Sequence, residues 1–266
     1  MTVELQLCSV CGSEQPAYRI DAIAAGGGAI FCCTDCWKKM KMAACNPTNL
    51  HDQLLSALMK AAPRLTDRVS KTIREHLIDS IRAKMQMVSS PEFIDRIREI
   101  ADVIVTCLRR DGIVYACAGG SSAGEAKHLV AELVGRYKLP QRRGLPAVCL
   151  TPCPALLEDF SHHDIYVRQV EALVTEHDVL LGISAAGNSV SVVRALRRAA
   201  QQGAFTIGLC GGNGGEMLDA SCLSLMVPSD KPQTVQECQT AAIHILCDLV
   251  EQALCSDSDN ADPVMV

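Results

Sequence analysis

Residues 113–125 read Ile113-Val114-Tyr115-Ala116-Cys117-Ala118-Gly119-Gly120-Ser121-Ser122-Ala123-Gly124-Glu125. The stretch opens on a run of apolar residues without a charge, the signature of a strand covered on both faces. A glycine pair follows, then the start of an amphipathic helix. Glycines after a buried strand let backbone N–H groups approach an anion at the helix N-terminus, and the two serines add hydroxyl donors. The loop is neither a Gly-Lys-Ser/Thr phosphate loop nor a Gly-x-Gly-x-x-Gly dinucleotide turn.

The same order recurs downstream. Short apolar runs at 113–117, 147–150, 179–183, 206–210 and 223–227 alternate with helical patterns near 123–137, 164–174, 188–202 and 234–254. This alternation predicts an α/β fold: a parallel five-stranded sheet flanked by helices. A second serine-bearing turn, Ser184-Ala185-Ala186-Gly187-Asn188-Ser189, lies between a strand and a helix. Two such turns at the carboxyl ends of parallel strands mark the edge where open α/β sheets bind ligands. Gly120, Ser121, Ser122, Ser184, Asn188 and Ser189 are therefore candidate contacts for a phosphorylated small molecule.

Upstream, residues 49–110 read as helical. Val69, Ile73, Leu77 and Ile81 form one apolar stripe, and Ile94, Ile97, Ile100 and Ile104 another. Ser90-Pro91-Glu92 is a helix start, with a hydroxyl cap, proline in the first turn and an acid beside it.

Composition narrows the class. The 266 residues are 48% hydrophobic but only 3% aromatic, so the core must be aliphatic. A net charge of −5 weakens nucleic-acid binding by bulk charge. No apolar run reaches the roughly 18 residues of a membrane helix. Met1–Leu7 carries Glu4 and no basic stretch, so a cytoplasmic protein is expected.

Fifteen cysteines would then sit in a reducing compartment, which turns attention to metal ligation. Cys8-x-x-Cys11 and Cys33-x-x-Cys36 bracket an expected hairpin, with strands near 17–23 and 29–32 and a Gly26-Gly27-Gly28 turn. Two thiolate knuckles close a tetrahedral shell, so residues 1–48 read as a zinc-ribbon-like module. Cys32 is an alternative to Cys33. The nine later cysteines read as small buried hydrophobes. Residues 49–254 form the expected main domain, and 255–266 an expected disordered acidic tail.

Ala126-Lys127-His128 through Glu132 and Gly135-Arg136-Tyr137, the strand and turn 178–189, and Val235-Gln236-Glu237 through His244 together resemble the phosphoheptose isomerase branch of the sugar isomerase (SIS) domain family. The resemblance covers about residues 88–254 and leaves out the ribbon. It implies interconversion of sedoheptulose 7-phosphate with an aldose heptose 7-phosphate, usually in a homotetramer with shared active sites. By resemblance, His128, Glu132, Gln236 and His244 match ligands of an active-site zinc. Glu132 and His244 match the acid/base pair, Ser122, Ser184 and Ser189 the phosphate-loop serines, and Arg136 an arginine near the substrate. This chain departs from the family pattern at Ala118, Gly119 and Ser121 of the first loop and at Ala185 and Ala186 of the second. Segment 151–163 is also shorter than the family's. A non-catalytic scaffold like the DnaA-initiator-associating protein, or a sugar-phosphate-sensing regulator, is the alternative. Glu132, usually missing from that scaffold, favours an enzyme.

Overall fold

The computed structural model describes the backbone of residues 6–7, 14–15, 17–21 and 29–33, and then residues 66–152 and 158–255, with side chains from residue 68 onward. The chain divides into two compact units, Met1–Arg74 and Glu75–Val266.

In the first unit β1 (Gln6–Leu7) pairs antiparallel with β2 (Glu14–Gln15). The expected hairpin is present: β3 (Ala17–Asp21) pairs antiparallel with β4 (Ala29–Cys33), from Ala17 opposite Cys33 to Asp21 opposite Ala29. Cys8, Cys11 and Cys36 lie outside the described residues, as do 49–65, Cys153 and the tail after Cys255.

The second unit is built on five parallel strands: β5 (Val114–Ala118), β6 (Ala147–Cys149), β7 (Val179–Ser184), β8 (Phe205–Gly211) and β9 (Leu223–Val227). Their order across the sheet is β6-β5-β7-β8-β9. Each falls within a residue or two of its expected run, because an apolar stretch this short has no other way to bury both faces.

Helices α1 (Thr66–Ser89) and α2 (Pro91–Arg109) precede the sheet. Between and after the strands come α3 (Ala123–Val134), α4 (Val167–Leu173), α5 (Val190–Gln201), α6 (Met217–Ala220) and α7 (Pro232–Cys255). Ser90 caps α2 as the sequence predicts, its hydroxyl accepting from Phe93 N. Helix α3 stops three residues short of the expected end, at Gly135, whose N–H bonds Ala131 O.

The side-chain period of two sorts each strand between two cores. Val114, Ala116 and Ala118 face α2, α3 and α7 together with Leu181, Ile183, Ile207 and Leu209. Tyr115, Cys117 and Leu180 face α4, α5 and α6. Asp178 ties the amino edge: its carboxylate accepts from Ile113 N, Thr175 N and the Thr175 hydroxyl.

Two expectations about apolar residues divide. Of the eight described later cysteines, six are buried, Cys149 is half-buried and Cys222 is exposed. Ile97, Ile100 and Ile104 enter the core, but the α1 stripe does not: Leu77 and Ile81 are each 59% exposed. Helical spacing identifies a face; it does not say what covers that face.

Candidate active site

The strand order places sequence neighbours β5 and β6 side by side, and then carries the chain back across β5 to β7. The carboxyl ends of β5 and β7 are thus a topological switch point, the place where connections leave in opposite directions and open a crevice. Both serine-bearing turns sit there. They touch: Gly119 N donates to Ile183 O at 3.0 Å. A Cβ on Gly119 would stand 2.3 Å from the Ser189 hydroxyl oxygen, so the first loop can lie this close to the second only without a side chain. Gly120 adopts φ +54°, the left-handed region, and turns the chain into α3.

Ser122 and Ser184 are buried, Ser121 and Asn188 exposed, Ser189 half-buried. Asn188 and Ser189 stand at the start of α5, where such side chains often cap a helix, but neither does so here. The Ser189 hydroxyl bonds the Ser191 hydroxyl at 3.3 Å. Asn188 reaches instead to the β8 loop, accepting from Glu216 N at 3.0 Å.

The ionisable residues come from α3 and α7, which lie on the same face of the sheet. His128 and Glu132 are one turn apart on α3, with His128 Nε2 3.3 Å from Glu132 Oε1. From α7, His244 Nε2 stands 3.1 Å from His128 Nε2, the rings meeting edge to face at 85°. About two turns earlier on α7, Gln236 Nε2 donates to the Ser121 hydroxyl at 2.7 Å, linking the histidine cluster's helix to the first loop. The Tyr137 ring lies 5.7 Å from that of His244. Glu132 and His128 side chains are 25% and 31% accessible, so the cluster opens to solvent while its backing is dry. Behind it, burial first and the Glu132 carboxylate second push the Cys247 thiol up to about 12. That thiol is a neutral packing group.

The structure therefore brings His128, Glu132 and His244 into one cluster within a single chain, and joins Gln236 to Ser121. Arg136 stands exposed beyond the end of α3. His162 and His163, the two histidines between β6 and α4, are exposed and outside the cluster.

The family model described as SIS domain matches residues 76–211. The chain is 38% identical over 198 residues to a phosphoheptose isomerase of Aquifex aeolicus, covering 73% of this chain and all of that protein. It is 42% identical over 180 residues to one from Geobacter sulfurreducens, covering 65% of this chain and 95% of that protein. The chain belongs to the phosphoheptose isomerase family of SIS-domain proteins. A solved phosphoheptose isomerase from Francisella tularensis superposes with a TM-score of 0.65 at 31% identity, over 69% of this chain and 98% of that one.

As a phosphoheptose isomerase family member the protein is an isomerase, and the cluster on α3 and α7 is its candidate centre. Sequence reasoning missed four residues around it: Tyr137 beside His244, Ser191 beside Ser189, and the pair Arg142 and Glu251 behind Glu132. The last two are 109 positions apart. Nothing local in the sequence couples them.

Proposed function

We propose that the protein interconverts sedoheptulose 7-phosphate and the aldose heptose 7-phosphate, with Glu132 and His244 as its acid/base pair. The observation that carries this reading is the meeting of His128, Glu132 and His244 from two helices beside the switch-point loops.

Moving a carbonyl from C2 to C1 shifts one proton between carbons and one between oxygens. The Glu132 carboxylate takes the C1 proton, leaving an enediol, and returns it at C2. The His244 imidazole, one ring nitrogen of which is already engaged with His128, passes the proton between O1 and O2. Ser122, Ser184 and Ser189, with Gly120, Ser121 and Asn188, hold the phosphate at the carboxyl edge of β5 and β7, and Arg136 adds a charge near the sugar.

Among the described residues no group of three or more His, Cys, Asp and Glu side chains stands arranged to hold a metal ion. The donor chemistry nonetheless fits one: two imidazole nitrogens and a carboxylate oxygen are a set that zinc takes. His128, Glu132, Gln236 and His244 are the side chains that would hold zinc. When bound, the ion supplies an electrophile that stabilises negative charge on the substrate oxygens.

The phosphate end is tested by Ser184→Ala. A hydrogen bond to a charged phosphate is lost, so sugar-phosphate binding weakens by about 1–3 kcal/mol, read by calorimetry. Wild-type protein that shows no thermal shift with inorganic phosphate or sugar phosphates contradicts the assignment. Turnover of sedoheptulose 7-phosphate, followed by NMR, tests the reaction itself.

A homotetramer belongs to the same reading. On α1, Leu77, Ile81, Met85 and Val88 recur at spacings of four, four and three, so they share one face. They are 59%, 59%, 60% and 71% exposed in the single chain, which leaves a continuous apolar stripe facing water. A second copy of the same helix is the occupant such a self-complementary stripe suits. Replacing Leu77, Ile81 and Met85 together by Glu is expected to yield monomers in sedimentation equilibrium. An unchanged mass contradicts this interface.

Residues 1–48 we read as a zinc ribbon held by Cys8, Cys11, Cys33 and Cys36. The antiparallel β3–β4 hairpin between the two Cys-x-x-Cys pairs supports it. A cytoplasmic location suits free thiols in the core, and no described helix is long and apolar enough to cross a membrane.

A further inference from the structure

We infer that the buried ion pair Arg142–Glu251 is a positioning device that fixes the register of α7 against α3, and so brings His244 to His128 and Glu132. The inference rests on the isomerase reading for its catalytic consequence and on geometry alone for the rest.

Both side chains are only 2% exposed. Arg142 Nε donates to Glu251 Oε2. Its Nη2 donates to the carbonyl of Glu132, and its Nη1 to the carbonyls of Leu133 at 2.9 Å and Arg143 at 2.9 Å. Those of Glu132 and Leu133 belong to the last turn of α3, where carbonyls have no partner within the helix. The guanidinium fork therefore caps α3 at the very residue that carries the carboxylate. Glu251 accepts from three successive amides, Tyr137 N at 3.0 Å, Lys138 N at 2.7 Å and Leu139 N at 2.7 Å. Burial works against its charge, but Arg142 and these amides more than offset it and hold the carboxyl below its ordinary range.

Three parts of the cluster converge on this pair. Glu132 is held by its carbonyl. Tyr137, whose ring flanks His244, is held by its amide. His244 sits seven residues before Glu251 on α7, about two turns or roughly 10 Å along the same helix face. Beneath the imidazoles the α3–α7 packing is apolar: Leu129 and Leu133 share the core with Ile243, Leu246 and Cys247. Such a contact sets the distance between two helices more firmly than their slide along one another. A charged pair with every partner in place has one geometry, and specifying register is the best-attested use of buried polar groups. In this fold the register decides whether two imidazoles meet.

The test replaces the pair by apolar residues of similar volume, Arg142→Met with Glu251→Leu. Removing both partners of a buried pair commonly leaves folding intact, whereas removing one strands a charge. The double variant is expected to melt within a few degrees of wild type, to keep KM for sedoheptulose 7-phosphate within about twofold, and to lose at least tenfold in kcat. The imidazole ¹⁵N signals of His128 and His244 should move. A folded double variant with wild-type kcat and unmoved imidazole signals overturns the inference, and so does a loss confined to KM. If the double variant does not fold, Arg142→Lys decides, because it keeps the charge and gives up the fork: unchanged kcat and unmoved imidazole signals overturn the inference. Wild-type protein inert toward the sugar removes the isomerase reading while the imidazole comparison still tests the positioning role.

Discussion

Glu132→Gln is expected to fold, assemble and bind sugar phosphate like wild type, yet to lose a factor of about 10²–10⁴ in kcat. The substitution is isosteric; it removes the ability to take a proton and, with it, the one anionic side chain among those that would hold zinc. Glu132 is part-exposed, and its side chain's ion-pair partner is His128 at 3.3 Å, so the fold does not depend on its charge. The buried anchoring at this position runs through its backbone carbonyl, to Arg142, and survives the change. Steady-state kinetics beside calorimetric binding separates the two quantities. A variant that retains wild-type kcat removes Glu132 as the base. A variant that loses binding and rate together makes it a binding residue.

Cys8→Ser should remove one zinc per chain, measured by elemental analysis of the purified protein, and should unfold the ribbon. Residues 1–48 have too little core to fold alone, so on the ribbon reading a metal would supply the folding energy. The SIS unit keeps its own two cores and its own ion pairs, so its thermal transition and kcat should stay at the wild-type values. An unchanged zinc content refutes the four-thiolate site.

The sheet was legible because buried parallel strands leave no choice of residue: Val179–Ser184 is buried at every position, and its apolar run says so. Helix ends were less so. Asn188 and Ser189 have the composition of a cap, yet Asn188 spends its oxygen on Glu216 N, a partner that arrives from another loop. His128 and Glu132 share a helix face by spacing alone. That His244 would meet them depends on how α3 and α7 cross the sheet, which the family resemblance supplied and spacing could not. Nothing in the sequence sets Arg142 and Glu251 apart from other charged residues, since their burial exists only once the chain is folded. The apolar stripe on α1 is legible in the sequence as a face, whereas its exposure belongs to the three-dimensional structure.

The most direct test is to incubate purified full-length protein with sedoheptulose 7-phosphate and follow the aldehyde-bearing product by NMR. The account predicts approach to a ketose–aldose equilibrium at a rate proportional to enzyme, abolished by Glu132→Gln. Saturable binding of the sugar phosphate with no aldose formed would contradict it, and would make the protein a sensor or scaffold built on an isomerase fold.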